Sequence, residues 1–135
     1  MKYLLTQTAA ALAMLAPGLV HAAQPPAGSR YQLTVTTSFE PPFSDCWTFS
    51  SAGTFIHSPS LHNFPYQLDN LNKLAGNWQA IWVGHVSIAF SGTANGSAIA
   101  GNAVDALSRT YSITGKPVSS CGADAQVVKG WPTGR

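Results

Sequence analysis

Apolar and polar residues alternate along several short segments of the chain, as expected for β-strands that bury one face. The pattern is clearest in residues 31–36 and 110–114, where every second residue is apolar. Residues 46–57 also have the character of extended chain, with Gly53 as a turn or bulge between two shorter strands. Residues 115–117 are expected to end the strand before them, because Pro117 cannot donate to a sheet ladder.

Residues 78–91 carry the longest alternation, and their even positions are all apolar or glycine. One continuous strand with a bend at Gly84 would bury Trp78 and Trp82 on the same face. A two-residue turn at Gly84 and His85 would instead make a hairpin, and both tryptophans would then lie on the face that carries the serines of this segment. We favour the continuous strand because it buries both tryptophans.

Asn95 and Gly96 form the clearest turn signal in the sequence. Both central residues of a type I′ turn need positive φ, which this dipeptide adopts at little cost. A two-residue turn at this point predicts a hairpin over residues 86–104, with Phe90 opposite Gly101. One face of that hairpin is apolar, so turn chemistry and alternation support the same structure.

Three other segments lie outside this clear alternation. Pro59 and Pro65 indicate a loop. Leucines at every third position of residues 66–75, followed by Gly76, indicate one short helix. Residues 125–129 are predicted as a last short strand.

Together these elements predict an all-β fold: a small antiparallel meander barrel, or a sandwich, of about 6–8 strands with at most one short helix. Small residues in the Asn95 hairpin suit a tightly curved sheet, which favours the barrel. We assign residues 31–129 to a single β domain, 23–30 to a flexible lead-in and 130–135 to a C-terminal tail. Within the tail, Trp131 is expected either to pack back on the barrel as a plug or to contact a partner.

Residues 92–115 contain a set of residues that occurs together in a known type of hairpin: Gly92, Thr93, Ser97, Ala98, Gly101, Asn102, Ala103, Ser108, Arg109, Tyr111, Thr114 and Gly115. With gaps, the set is locally similar to a hairpin of the avidin-like biotin-binding barrels. In that family the hairpin comes early and several tryptophan-bearing strands follow it, whereas here the biotin-contacting tryptophans have no counterpart after this segment. The resemblance therefore implies a barrel and does not extend to biotin binding.

The N-terminus has the features of a secretory signal peptide. Lys2 precedes the apolar run 4–15, Pro17 would break a helix, and small or apolar residues lead up to Ala22. We predict cleavage after Ala22, which makes residues 1–22 a signal peptide and the mature protein periplasmic or secreted. The apolar run is shorter than the roughly 20 residues that cross a bilayer, so no membrane span is expected in the mature protein.

Export predicts the state of the two cysteines, and the low charge argues against one class of partner. In an oxidising compartment Cys46 and Cys121 are expected to form one disulfide. Charged residues make up 9% of the chain, with a formal net charge of +2 and no basic cluster. A nucleic-acid partner is therefore not expected, since it would need a basic stripe.

No catalytic or cofactor motif is visible in the sequence. His57, His62 and His85 lack the spacing of a zinc site, and there is no Gly-x-Ser-x-Gly elbow. Glu40 is the only glutamate, so paired carboxylates for glycoside hydrolysis would have to include scattered aspartates. We therefore predict no metal, no cofactor and no enzymatic activity.

Large aromatic residues are the strongest functional lead, because they are numerous for a small domain. We predict a binding protein that holds a small apolar or sugar-like ligand between aromatic side chains. The candidate ligand-binding residues are Trp47, Trp78, Trp82 and Tyr111. The simpler interpretation of these rings is that they fill a small β core.

The second hypothesis is a protein-interaction module, such as a periplasmic inhibitor or immunity-type partner. It would use residues 40–45 and 58–66 as exposed loops, with Phe39, Phe43 and Phe64 as interface residues. A hollow barrel interior with polar groups would favour the small ligand. A packed interior with apolar loops would favour the protein partner.

Overall fold

The computed structural model describes residues 27–68, 76–122 and 129–132, and these form eight β-strands. The predicted signal peptide, residues 69–75 of the predicted helix and residues 125–128 of the predicted last strand lie outside them. The strands are β1 (Arg30–Thr36), β2 (Phe43–Phe49), β3 (Phe55–Ser58), β4 (His62–Leu68), β5 (Asn77–Trp82), β6 (Ile88–Ala94), β7 (Ile99–Asp105) and β8 (Thr110–Pro117).

The eight strands form a closed barrel. Each strand pairs antiparallel with the next one in sequence, and β8 pairs with β1 to complete the ring. This confirms the predicted all-β antiparallel meander and decides for the barrel over the sandwich. The part of the chain that the structure describes contains no helix. Closure gives every strand two neighbours, so none of these strands is left as an unpaired edge.

Alternation along each strand determines which side chains enter the barrel. In β1 the odd-numbered Tyr31, Leu33 and Val35 are buried and the residues between them are exposed, as predicted. The same rule in other strands fills the interior with rings that meet edge to face, such as Trp47 and Trp78 at 5.7 Å between centroids. The largest fully buried side chains are Trp47, Trp78, Tyr31, Tyr111, Phe49 and Phe64.

Residues 78–91 form neither the continuous strand that we favoured nor a hairpin with a two-residue turn. β5 and β6 are joined by the five residues 83–87, and Trp82 lies opposite Ile88. Because this connection has an odd number of residues, the even positions of both strands face the same side. Trp78 is therefore buried with Phe90, as the continuous strand predicted, although the chain reverses direction.

The hairpin at Asn95 and Gly96 is present, but its register differs from the predicted one by two residues. Phe90 lies opposite Ala103 rather than Gly101, because the loop has the four residues 95–98 instead of two. The Asn95 Oδ1 stabilises this longer loop by accepting two backbone N–H hydrogen bonds, at 3.0 and 3.1 Å. Only Gly96 of the pair has positive φ, which excludes a type I′ turn. A shift by two residues keeps each side chain on its predicted face.

Gly92 and Gly101 lie opposite each other in β6 and β7 and let the two strands approach closely. A Cβ at Gly101 would lie 2.5 Å from the Ser91 carbonyl oxygen, and a Cβ at Gly92 would lie 3.0 Å from the Trp78 ring. These positions therefore require glycine for backbone packing rather than for turn formation.

The loop predicted around Pro59 and Pro65 and the start of the predicted helix are wrong. Residues 59–61 form a short turn and β4 begins at once, so Pro65 and Tyr66 lie in a strand. Pro65 is outward-facing and is tolerated because the pairing of β4 with β5 begins only at the next residue, Tyr66. The Tyr66 N–H next to it maintains the ladder by donating to the Thr54 carbonyl oxygen at 3.1 Å.

Two further predictions concern strand ends. Gly53 has a φ of 76° in the turn between β2 and β3, which confirms the predicted division of this segment. β8 by contrast continues through residues 115–117, where we predicted its end. Pro117 is the last residue of the strand, and the next backbone N–H, that of Val118, donates to Arg30 at 3.0 Å.

Candidate functional site

Asp45 is a carboxylate buried inside the barrel, with 1% of its surface exposed. It lies on β2 two residues before Trp47, so strand alternation turns both side chains inward. Its Oδ2 accepts hydrogen bonds from the indole N–H groups of Trp47 and Trp131, both at 2.9 Å, and from the Ser58 hydroxyl at 2.8 Å. Its Oδ1 accepts the backbone N–H of Cys46 at 2.7 Å.

Trp131 also contacts this carboxylate, although it belongs to the C-terminal segment that follows the eight strands. Its ring stacks on that of Trp47, with an interplanar angle of 24°. It also contacts the rings of Phe43 at 5.1 Å, Phe90 at 5.4 Å and Tyr111 at 5.1 Å between centroids. Of the two alternatives that the sequence left open for Trp131, the plug is therefore the one that the structure adopts.

The predicted disulfide joins Cys46 to Cys121, with 5.8 Å between the two Cα atoms. Cys46 is next to Asp45 in β2 and Cys121 follows β8, so the bond attaches the chain beyond β8 to the strand that carries the buried carboxylate. The Arg30 guanidinium supports the same segment by donating to the Ser119 carbonyl oxygen at 2.8 Å.

Burial raises the pKa of Asp45 above the ordinary value of an aspartate, and the hydrogen bonds that it accepts from Ser58, Trp131, Cys46 and Trp47 only partly offset this effect. Within the described residues no basic side chain forms an ion pair with Asp45. The carboxylate is therefore held by neutral donors, and each lost donor leaves more of a buried charge unsatisfied.

A second buried carboxylate, Asp105, organises the turn between β7 and β8. It accepts the Tyr111 hydroxyl and the Arg109 Nε–H, both at 2.8 Å, and the backbone N–H groups of Leu107 and Arg109 at 2.9 and 3.0 Å. Burial alone would raise the pKa of Asp105, but these hydrogen bonds together outweigh it and hold the pKa below its ordinary value. Burial, and then the hydrogen bond to Asp105, raise the pKa of Tyr111 well above its usual range.

The four aromatic residues predicted to bind a ligand lie in the core or against it. Trp47, Trp78 and Tyr111 are at most 2% exposed, and Trp82 is half-buried at the end of β5. Trp47 and Tyr111 donate to buried carboxylates, whereas the Trp78 indole N–H is buried without a hydrogen-bond partner in the described part of the chain. The structure thus brings three of the four into one aromatic cluster and leaves Trp82 at its margin.

Most residues of the two segments predicted as interface loops lie in strands instead. Residues 58–66 comprise the end of β3, the turn 59–61 and most of β4, and Phe64 lies inside the barrel. Phe43 is half-buried against the Trp131 ring, so of the three phenylalanines only Phe39 is exposed, at 42%. This part of the interaction hypothesis is wrong because strand alternation turns two of the three rings inward.

The outer face of β4–β7 carries a groove that the sequence analysis did not predict. Its cavity volume is about 450 Å³, and it lies outside the barrel because most of its lining residues are outward-facing. One row of residues across the four strands has uncharged side chains that can form hydrogen bonds: Gln67, Gln79, Ser91 and Asn102. The row beside it is apolar: Ile81, Ala89 and Val104.

Ile81 and Val104 leave large apolar side chains in water within this groove, at 53% and 45% exposure. A second outer cavity of about 350 Å³ meets the groove at Asn102, and no charged residue lines either one. Ile81 was the available signal in the sequence, since it is a large apolar residue at an odd, outward position of residues 78–91.

Comparison of the chain with protein-family models, with curated proteins and with solved structures found no match. Across residues 27–68, 76–122 and 129–132, no group of three or more His, Cys, Asp or Glu side chains is placed to hold a metal ion. None of the described residues belongs to a helix of the length and apolarity that would cross a membrane.

Proposed function

We propose that this chain is an exported, non-catalytic binding protein that recognises a protein partner through the groove on the outer face of β4–β7. The supporting observation is a contrast between the two sides of the barrel wall. The interior positions are occupied by packed aromatic rings, including Trp131 of the chain's own C-terminal segment. The groove, in contrast, keeps Ile81 and Val104 in contact with water.

A small apolar or sugar-like ligand held between Trp47, Trp78, Trp82 and Tyr111 is the less supported alternative. Trp47 and Trp78 already pack against each other, and Trp47 also stacks on Trp131. A small apolar ligand that entered this cluster would displace Trp131 and leave Asp45 without the indole N–H that it accepts, and a sugar-like ligand is not flat enough to replace the ring. A packed interior therefore favours the partner on the outside.

The composition of the groove is suited to the central part of a protein–protein interface. Ile81 and Val104 are about half exposed, so complete burial of each in a complex would contribute about 1 kcal/mol. The adjacent amide and hydroxyl row supplies hydrogen bonds without charges that must be desolvated, and charged residues are depleted at interface centres. Val83 and Leu107, at 76% and 64% exposure, extend the apolar surface just beyond the ends of β5 and β7. We expect the partner to present an uncharged surface with apolar side chains.

Site-directed photocrosslinking in cells that export the protein tests this proposal. A photoreactive phenylalanine analogue at Ile81 or Val104 should give one discrete crosslinked product of higher mass. The same analogue at Thr34 should not, since Thr34 is an exposed residue of β1 on the far side of the barrel.

Charge substitutions test whether crosslinking depends on the groove rather than on the rest of the surface. Ile81→Asp should reduce the yield of the product formed from position 104 by at least about tenfold, which corresponds to about 1.4 kcal/mol. Thr34→Asp should leave that yield unchanged. Equal crosslinking from position 34 and the groove, or no product from the groove, would contradict the proposal.

A further inference from the structure

Trp131 is bound as a separate ligand would be bound. It belongs to none of the eight strands, yet only 5% of it is exposed. Its ring contacts come from other elements: Phe43 and Trp47 of β2, Phe90 of β6 and Tyr111 of β8. Among the described residues, the ring contacts of the site therefore come from the barrel, and the C-terminal segment provides the occupant.

The walls define a flat slot with one polar contact point. Trp47 lies nearly parallel to the indole, offset at 6.5 Å between centroids and 24°, while Phe43 and Phe90 stand nearly perpendicular to it at 87° and 77°. The backbone before the ring also fits closely, since a Cβ at Gly130 would lie 2.5 Å from the Phe43 ring. This arrangement of rings matches a planar aromatic group.

The polar contact point is the Oδ2 of Asp45, which accepts the Trp131 indole N–H at 2.9 Å. The same carboxylate is also held by Trp47, Ser58 and the backbone of Cys46. None of these three donors belongs to Trp131, so we expect the acceptor to keep its position when Trp131 leaves. A planar ring without an N–H would leave this buried carboxylate one donor short, which disfavours it.

We propose that this end of the barrel, the Asp45 site, is a binding site for indole-type ligands, and that Trp131 occupies it until such a ligand displaces it. The ligand class is a neutral, flat heteroaromatic ring with one N–H donor. A tethered group competes at an effective concentration on the order of millimolar, so free ligand should bind the intact chain more weakly than a chain without the Trp131 ring.

The first test opens the site and compares two probes. Trp131→Gly should bind indole at least about tenfold more tightly than N-methylindole, since a hydrogen bond to a charged group contributes that much. Thermal unfolding and calorimetric titration both measure this ratio. Trp78→Gly is the matched control, because it removes another buried indole whose N–H has no partner among the described residues. At probe concentrations below those that displace Trp131, that variant should bind the two probes equally well.

The second test uses the intact chain and does not depend on whether the variants fold. The Trp131 indole N–H signal is followed by two-dimensional NMR, with the assignment taken from Trp131→Phe. Indole at concentrations on the order of millimolar should shift or remove this signal, and N-methylindole should do so far less. An unchanged signal up to the solubility limit of indole, or a Trp131→Gly protein that does not distinguish the probes, would overturn the proposal.

Discussion

Replacement of Trp131 with phenylalanine removes one hydrogen-bond donor from Asp45 and keeps an aromatic ring in the same place. The remaining ring still packs between Trp47 and Phe43. The perturbation therefore isolates the indole N–H that lies 2.9 Å from the Asp45 Oδ2. Trp78→Phe is the natural comparison, because it makes the same change at a buried indole whose N–H has no partner in the described chain.

The magnitude follows from the charge of the acceptor. A hydrogen bond to a charged group contributes about 1.5–3 kcal/mol to stability, whereas loss of an unpaired N–H relieves a buried polar group. Both substitutions lose a similar amount of ring surface, so the packing terms largely cancel in the comparison. Trp131→Phe should therefore cost about 1.5–3 kcal/mol more than Trp78→Phe. Trp47→Phe, which also removes a donor to Asp45, should resemble Trp131→Phe.

Urea unfolding followed by far-ultraviolet circular dichroism measures these differences without relying on the fluorescence that the substitutions alter. The denaturant dependence should be the same in all three variants, so that the midpoints report stability. Equal losses for Trp131→Phe and Trp78→Phe, or a larger loss for Trp78→Phe, would refute the reasoning that Asp45 depends on its indole donors.

Three other perturbations test separate parts of the structure. Cys46→Ser opens a loop of 75 residues in sequence separation and should lower the free energy of unfolding by about 4 kcal/mol; an unfolding midpoint that is unchanged by the substitution would argue against a structural role for the bond. Because the pKa of Tyr111 is raised above the ordinary 10.0, its contribution to stability is complete below about pH 10 and is lost as the pH rises further. Stability measured by urea unfolding should thus fall more steeply above pH 10 in the wild type than in Tyr111→Phe, and parallel curves would rule this out. Gly101→Ala places a Cβ 2.5 Å from the Ser91 carbonyl oxygen and should cost about 1–3 kcal/mol. Gly122→Ala should be neutral, because among the described residues only its chain neighbours could lie within 4 Å of the added Cβ; similar unfolding midpoints for the two variants would contradict the close approach of β6 and β7 at Gly101.

The faces that β1 and β5–β8 turn to the core could be predicted from the sequence, whereas β4 and the connections could not. Alternation is a local property, so it assigned Tyr31 and Trp78 to the interior correctly. The reversal between β5 and β6 was missed because an odd-length connection preserves the alternation of one continuous strand. At Asn95 the turn was placed correctly, but the hydrogen bonds of its own side chain favour a longer loop than the type I′ turn.

The candidate sites depend on contacts between residues that are far apart in the sequence. The disulfide was predictable because the chain has only two cysteines. The hydrogen bond between Trp131 and Asp45 joins residues 86 positions apart and exists only once the barrel has closed. The groove arises from the relative register of four strands, and an error of two residues between β6 and β7 was enough to misalign its rows.

Hydrogen exchange of the Trp131 indole N–H tests most directly whether the barrel interior is closed by the chain's own C-terminal segment. In NMR spectra of the intact protein, this proton should exchange far more slowly than that of an exposed indole, and the Trp47 proton should show protection close to the free energy of global unfolding. If the Trp131 proton instead exchanged like that of an exposed indole while the Trp47 proton stayed protected, the barrel would be open at this end. A ligand site inside it would then be better supported than the groove outside.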